Sequence, residues 1–166
     1  MKNLKKLLEN RKATYVEKTA DDVYNDVAEG SELSAEDIAK IGKVESQHGK
    51  FDKPLQGGSA RGIFQFQPKT AEHLQPGSSD SLSDMNIQAE LMKKYLARTK
   101  PESVEDAYAM HNLGPTGGRK FMEADDDAPI ESVMSGAAIR GNPNLYGVKT
   151  VGEAKARIKQ KLNKEE

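Results

Sequence analysis

The sequence contains no cysteine and no tryptophan, and only 5% of its residues are aromatic. Without cysteine the chain has no disulfide framework and no thiol chemistry, which fits synthesis in a reducing compartment. No apolar run approaches the roughly 18 residues of a membrane span, so we predict no integral membrane segment. The 25 basic and 26 acidic residues leave a net charge of −1. A nearly neutral protein has no overall positive potential to attract nucleic acid, so we expect no nucleic-acid partner.

The N-terminus lacks the apolar stretch of about 7–15 residues that a signal peptide needs. Leu4, Leu7 and Leu8 stand instead at helical spacing among lysines, which predicts a short amphipathic arm packed on its own domain or, less commonly, on a membrane surface. A chain of 166 residues without internal repeats is predicted to bury one core. Its predicted parts are a helical lead-in (1–30), a central domain (31–147) and a C-terminal helix of the same unit (148–166).

Residues 34–49 (SAEDIAKIGKVESQHG) carry the clearest helix pattern in the chain. Ser34 is placed to cap this helix, with an acid three residues on as in a capping box. Ile38, Ile41 and Glu45 then fall at i, i+3 and i+7, so an acid shares the apolar face. Burial and the helix dipole would both raise the pKa of Glu45, as a general acid near neutrality requires. Alternatively, Glu45 only flanks the face and reaches solvent.

A glycine-rich stretch follows this helix. Glycines bracket residues 63–67 (IFQFQ), whose alternation predicts a small strand or hairpin arm, and Pro68 then opens a helix through Leu74. Glutamines alternating with aromatics suit a surface that hydrogen-bonds hydroxyls and amides while stacking on apolar sugar faces. Four later helices are predicted at 84–98 after a Ser83 cap, at 101–114, at 130–139, and from a Thr150–Glu153 capping box onward, with Tyr146 in a loop.

Three blocks in this order resemble the soluble lytic transglycosylase family: Glu45-Ser46, residues 59–65 (SARGIFQ) and residues 68–71 (PKTA). That family carries ES, GA-x-G-L-M-Q and P-x-T-A blocks. Residues 109–115 (AMHNLGP) are similar to its A-Y-N-A-G-P block, and Asp84-Met85-Asn86-Ile87 with Tyr95-Leu96 to its D-x-x-N-I and Y-L blocks. The resemblance covers about residues 34–115.

The resemblance implies a mainly α, lysozyme-like helical domain with one small β element near residues 57–67. Glu45 matches the family's catalytic glutamate. Ser46, Gln65 and Asn112 would orient the saccharide and the acid, and Phe64 or Phe66 would form an apolar wall. No cofactor and no metal are expected, since Asp125-Asp126-Asp127 lacks the alternation of a calcium loop. The predicted substrate-binding residues are Ser46, Phe64, Gln65, Tyr95, His111, Asn112 and Tyr146.

His111 departs from the family, which has a tyrosine that contacts the acid at this position. Structural and functional roles for this histidine both remain open. A neutral imidazole could hydrogen-bond Glu45, whereas a protonated one would lower the pKa of that carboxyl. Tyr95 could bring a hydroxyl near the acid, and Tyr146 could close the cleft, because lysozyme-like folds often do so with a late aromatic.

The function implied is cleavage of the β-1,4 bond between N-acetylmuramic acid and N-acetylglucosamine in peptidoglycan glycan strands, with a 1,6-anhydro product. Asp52 is the only other acid close to Glu45 in this part of the sequence, and we expect it to be solvated. Two alternatives stay open: a hydrolytic muramidase of the goose type, and a non-catalytic virion structural protein that keeps the fold.

The substrate lies outside the cytoplasmic membrane, yet the sequence shows no export signal. We therefore expect a bacteriophage protein, either carried in the virion, where it would contact other virion proteins, or released from the infected cell as an endolysin.

Overall fold

The computed structural model describes residues 16–53 and 57–164. Most of these residues lie in α-helices, and none forms part of a strand, so the fold is mainly α as predicted. The predicted amphipathic arm at the N-terminus lies outside the described residues. The ten helices of the described residues are α1 (Ala20–Ala28), α2 (Ala35–Ser46), α3 (Pro68–Leu74), α4 (Met85–Thr99), α5 (Val104–Leu113), α6 (Pro115–Glu123), α7 (Ile130–Val133), α8 (Gly136–Gly141), α9 (Pro143–Tyr146) and α10 (Val151–Leu162).

Helix α2 begins and ends at residues whose chemistry explains its bounds. The Ser34 hydroxyl accepts the backbone N–H of Asp37, whose carboxylate in turn accepts the backbone N–H of Ser34, which confirms the predicted capping box. Ile38 and Ile41 are fully buried, as their spacing predicts. The helix ends because Gln47 and His48 both adopt left-handed backbone angles, with φ of 50° and 60°.

Helix α1 packs against α2 and α4 and contributes Val23, Tyr24 and Val27 to the core. Gly42 permits the close approach of α1 to α2, because a Cβ atom at this position would lie 2.5 Å from the Tyr24 hydroxyl oxygen. Tyr24 also hydrogen-bonds the Nδ1 atom of His48 at 2.8 Å, just beyond the end of α2. The N-terminal part of the described chain therefore helps to fix the position where α2 stops.

The small β element predicted near residues 57–67, with a strand or hairpin arm at 63–67, is present as one isolated bridge and not as a strand. Residues 62–65 form a tight turn, closed by a single antiparallel bridge between Arg61 and Phe66. Gln88 of α4, fully buried, explains the difference. Its side-chain oxygen accepts the Phe64 N–H at 2.9 Å, and its side-chain nitrogen donates to the carbonyl oxygens of Leu82 and Arg61. A side chain thus takes hydrogen bonds that a neighbouring strand would otherwise supply.

Several predicted helix bounds also shift, each for a local reason. Helix α4 is capped by Asp84 rather than Ser83, whose hydroxyl donates to Asp52 instead. Helix α5 begins after Ser103, whose hydroxyl accepts a backbone N–H, and not at Pro101.

The predicted helix at 130–139 is two short helices, because Ser135 caps a new helix in the middle of that stretch. Tyr146 ends a four-residue helix rather than lying in a loop.

Helix α10 carries the Thr150–Glu153 capping box that the sequence predicts. Ala154, Ile158 and Leu162 bury one face of this helix. Through that face α10 packs against α5, α2 and α9. The C-terminal helix is therefore brought next to the last turn of α2, where Glu45 lies.

Candidate functional site

A cleft of about 640 Å³ opens where α2, α4, α5 and α10 meet the turn at 62–65. We name its two sides. The turn wall consists of Ala60, Gln65, Phe66 and Gln67, and the helix wall consists of Tyr108, His111, Asn112 and Lys161.

Five of the eight predicted site residues line the cleft. These are Glu45, Gln65, Tyr95, His111 and Asn112. Ser46, Phe64 and Tyr146 do not line it.

Glu45 lies in the last turn of α2 and is partly exposed to the cleft. Burial among its neighbours raises the pKa of the Glu45 carboxyl, and the charges of His111 and Lys161 lower it. The net direction is upward, which favours the protonated acid. A carboxyl that keeps its proton near neutral pH can donate that proton to a leaving oxygen.

Ser46 has a different place from the one predicted. Its side chain is 2% exposed, and its hydroxyl donates to the Ile63 carbonyl at 2.7 Å while accepting the Gly49 N–H at 2.8 Å. The hydroxyl is thus occupied by the protein itself and is not available to a saccharide. Ser46 therefore joins the end of α2 to the turn at 62–65. This contact fixes the positions of Glu45 and Gln65 relative to each other.

Phe64 and Tyr146 are also core residues rather than cleft residues. The Phe64 ring is fully buried, 6.2 Å from the Tyr24 ring centroid, and Tyr146 packs edge-on against Phe121. The apolar surface of the turn wall is instead supplied by Phe66. Phe64 contributes its carbonyl oxygen, which accepts a hydrogen bond from His111.

Gln65 lines the cleft with a side chain that is itself tightly held. Its amide nitrogen donates to the carbonyl oxygens of Asp52 at 2.9 Å and Gly62 at 2.8 Å. Because carbonyl oxygens only accept, these contacts fix which end of the amide is nitrogen. The amide oxygen is the atom that Gln65 has left for a ligand, so this residue can accept a hydrogen bond from a sugar hydroxyl or amide.

His111, which belongs to the helix wall, lies between two aromatic rings. Its ring stands edge-on to Phe66 and to Tyr95, with centroid distances of 5.2 and 5.8 Å. Its Nε2 atom lies 2.7 Å from the Phe64 carbonyl oxygen and must therefore carry a proton. Nε2 is thus the donor of this hydrogen bond, and the charge of the His111 ring acts on the Glu45 carboxyl.

Tyr108 and Lys161 belong to the cleft, although the sequence pattern did not single them out. The Lys161 ammonium donates to the Tyr108 hydroxyl oxygen at 3.0 Å. Burial and then the negative charge of Glu45 raise the pKa of this phenol. Lysines at a helix C-terminus are favoured by the helix dipole, so nothing in the sequence distinguishes Lys161, whose side chain lines the cleft.

Two buried tyrosine hydroxyls near Glu45 have no hydrogen-bond partner among the described residues, those of Tyr95 and Tyr146. Tyr95 lines the cleft with 5% of its surface exposed. A buried hydroxyl without a partner is costly, and both oxygens are closed to solvent, so a ligand would reach the Tyr95 hydroxyl only after movement of the side chains around it.

Asp52 lies in a loop and is partly exposed, and the protein also engages its carboxylate. Its carboxylate accepts the Gly62 N–H at 3.0 Å and the Ser83 hydroxyl at 2.8 Å. Asp52 therefore stabilises the turn at 62–65. Glu45 is the one acidic residue of the described chain that lines the cleft.

Two other depressions of similar volume, about 660 and 690 Å³, lie beside α1 and beside α6. Neither contains a predicted site residue, so the chemistry of the side chains, and not size, singles out the cleft at Glu45. Within residues 16–53 and 57–164, no group of three acidic or histidine side chains could hold a metal ion. No helix in that part of the chain is long and apolar enough to cross a membrane.

Comparison with protein-family models and with curated proteins gave no match to this chain. The chemistry of the cleft therefore rests on the residues described above.

Proposed function

We propose that this protein is a peptidoglycan lytic transglycosylase with a lysozyme-like domain. It would cleave the β-1,4 bond between N-acetylmuramic acid and N-acetylglucosamine and leave a 1,6-anhydromuramyl end. The observation that carries the proposal is the lone carboxyl of the cleft: Glu45, with a raised pKa, is the only described acid that lines it.

A single carboxyl is sufficient for this reaction when it acts twice. Protonated Glu45 gives its proton to the glycosidic oxygen as the bond from that oxygen to C1 breaks. The resulting carboxylate then takes the proton of the C6 hydroxyl, whose oxygen bonds to C1. The proton balance closes on Glu45, and no water is consumed.

The surroundings of Glu45 support this cycle. Glycosidases with two carboxyls hold them roughly 5–9.5 Å apart, and the second acts as nucleophile or base. Asp52, the candidate for that second role, is held by Gly62 and Ser83 and does not line the cleft. This arrangement favours the transglycosylase over the hydrolase.

The walls of the cleft suit a glycan made of N-acetylated sugars. The Gln65 oxygen and the Asn112 side chain line the cleft and can form hydrogen bonds with hydroxyl and acetamido groups. Phe66 gives the turn wall an apolar surface.

Mass spectrometry of digested peptidoglycan tests the proposal. We expect muropeptides whose anhydromuramyl ends resist borohydride reduction, and none from the Glu45→Gln variant. Reducible muramic acid ends would show a hydrolase instead. A folded wild-type protein that releases no product would leave a non-catalytic role.

We also propose that the protein is encoded by a bacteriophage and acts on the wall of the host cell. A lytic band from purified virions in a wall-embedded gel would support a virion protein, and a band found only in lysates would support an endolysin.

A further inference from the structure

Lys161 is the one lysine of α10 that lines the cleft. Lys155, on the same helix, pairs with Asp126, and Lys159 lies beside a separate depression. Lys161 is adjacent to Leu162, which is buried where α10 packs against the rest of the helices. Its placement follows from the docking of α10, and its ammonium is held at the helix wall.

The contacts of Lys161 converge on one side chain. The Tyr108 hydroxyl oxygen accepts a hydrogen bond from the Lys161 ammonium at 3.0 Å, and the ammonium nitrogen lies 5.6 Å from the centroid of the same ring. A phenol oxygen that accepts a hydrogen bond from an ammonium keeps its own O–H as a donor. Glu45 lines the same cleft as Tyr108 and Lys161, and its negative charge acts on this phenol.

The titratable groups around Glu45 come from four helices. Tyr108 and His111 belong to α5, Tyr95 to α4, Tyr146 to α9 and Lys161 to α10. Of these, only His111 and Lys161 can carry a positive charge.

Glu45 and Lys161 act on each other. Burial raises the pKa of Glu45, and His111 and Lys161 lower it. Burial lowers the pKa of Lys161, and Glu45 raises it. The two groups therefore stabilise each other's charged forms in surroundings that disfavour both.

We propose that Lys161 is a positioning residue for Glu45: bound to Tyr108, its ammonium fixes the phenol beside the acid and stabilises the carboxylate that Glu45 becomes in mid-reaction. Only the stabilisation of the carboxylate during the reaction rests on the proposed function. The proton leaves Glu45 for the glycosidic oxygen and returns from the C6 hydroxyl, and between these events Lys161 faces an anion.

A titration of the Glu45 carboxyl by ¹³C NMR tests the coupling without any substrate. The variants are Lys161→Met, the conservative Lys161→Arg, and Lys159→Met as a control that removes the same charge from the same helix. We expect the pKa of Glu45 to rise in Lys161→Met and to stay near its wild-type value in the other two. An unchanged pKa in a folded Lys161→Met protein, checked by circular dichroism, would overturn the proposal.

Kinetics on soluble glycan fragments supply the second readout. We expect Lys161→Met to lower kcat about tenfold with KM unchanged, a fraction of the roughly 10²–10⁴-fold that a general acid contributes. Because Glu45 must start protonated, the alkaline limb of the pH profile should move to higher pH in this variant.

A lower kcat without a shift of either the titration or the pH profile would reduce Lys161 to a structural residue and overturn the proposal. If the wild type releases no product at all, the proposed function fails, and the NMR titration alone still decides the role of Lys161.

Discussion

The two walls of the cleft use their polar groups in opposite ways. On the turn wall, most hydrogen-bonding groups are committed to the protein: the Gln65 amide nitrogen donates to backbone carbonyls and leaves only its oxygen for a ligand, and Asp52 and Gln88 bond to the backbone of the turn. On the helix wall, Tyr108 and Lys161 bond to each other and face the acid. The turn wall therefore supplies shape, and the helix wall supplies a charged group and a phenol in the same cleft as the acid. Substitutions that affect the turn wall should accordingly change stability, and substitutions on the helix wall should change the reaction.

The largest effect is expected at Glu45, between the two walls. Glu45→Gln should abolish wall lysis, since the amide cannot act as an acid, and one general acid is worth roughly 10²–10⁴-fold in rate. Wild-type clearing of a turbid wall suspension by this variant would remove Glu45 from the mechanism.

The same substitution tests the burial of the acid. The pKa of Glu45 is raised in the folded state, so its contribution to stability is present at low pH and is lost as pH rises through the folded value. A neutral amide has no such loss. Thermal melts of Glu45→Gln at neutral pH should therefore show a Tm at or above the wild-type value, whereas at acidic pH the two proteins should converge.

Gln88→Met should have the largest effect on stability. The substitution keeps the side-chain length but leaves the Phe64 N–H and two backbone carbonyls without their partner. At about 1–3 kcal/mol for each unsatisfied buried group, a loss of about 3 kcal/mol in the free energy of unfolding is expected in urea melts.

Exposed Glu90 on the same helix provides the matched control, because Glu90→Met should change stability by less than about 0.5 kcal/mol. Equal stability of the two variants would mean that Gln88 does not hold the turn.

A smaller effect is expected at Asp52. Asp52→Asn keeps one acceptor oxygen and loses the other, so stability should fall by about 1 kcal/mol while lysis stays within a few-fold of wild type. The measurement pairs urea melts with wall-clearing rates. A loss of lysis as large as that of Glu45→Gln would indicate a second catalytic carboxyl and a hydrolase.

The smallest effect is expected at the tyrosine hydroxyls that have no hydrogen-bond partner among the described residues. Tyr95 lines the cleft and Tyr146 does not. If the Tyr95 hydroxyl binds glycan, Tyr95→Phe should raise KM roughly 2–10-fold, the worth of one hydrogen bond, and Tyr146→Phe should leave KM unchanged. Equal KM values for both variants on soluble glycan fragments would show that the Tyr95 hydroxyl does not contact the substrate.

The sequence predicts the parts of this molecule that depend on neighbouring residues. The bounds of α2 follow from the Ser34 capping box, and the place of Glu45 follows from its spacing to Ile38 and Ile41. The capping box of α10 is local in the same sense.

The turn wall could not be predicted in the same way, because its hydrogen bonds come from Gln88 and Asp52, which lie outside the run 63–67. An alternating pattern of aromatics and glutamines is typical of a strand until such partners are known. Lys161 was missed for a related reason: only the docking of α10 distinguishes it from the other lysines at that helix end.

The docking of α10 onto α2 has a consequence for the order in which the site forms. Glu45 and Lys161 are distant in the chain, so their approach is a non-local event, and contacts of this kind must overcome loop-closure entropy before they contribute. During synthesis α2 emerges well before α10, and a nascent chain therefore carries the acid without its cation. Under the proposed function, catalytic competence would then appear late in folding, as a property of the assembled chain and not of the segment that holds the acid.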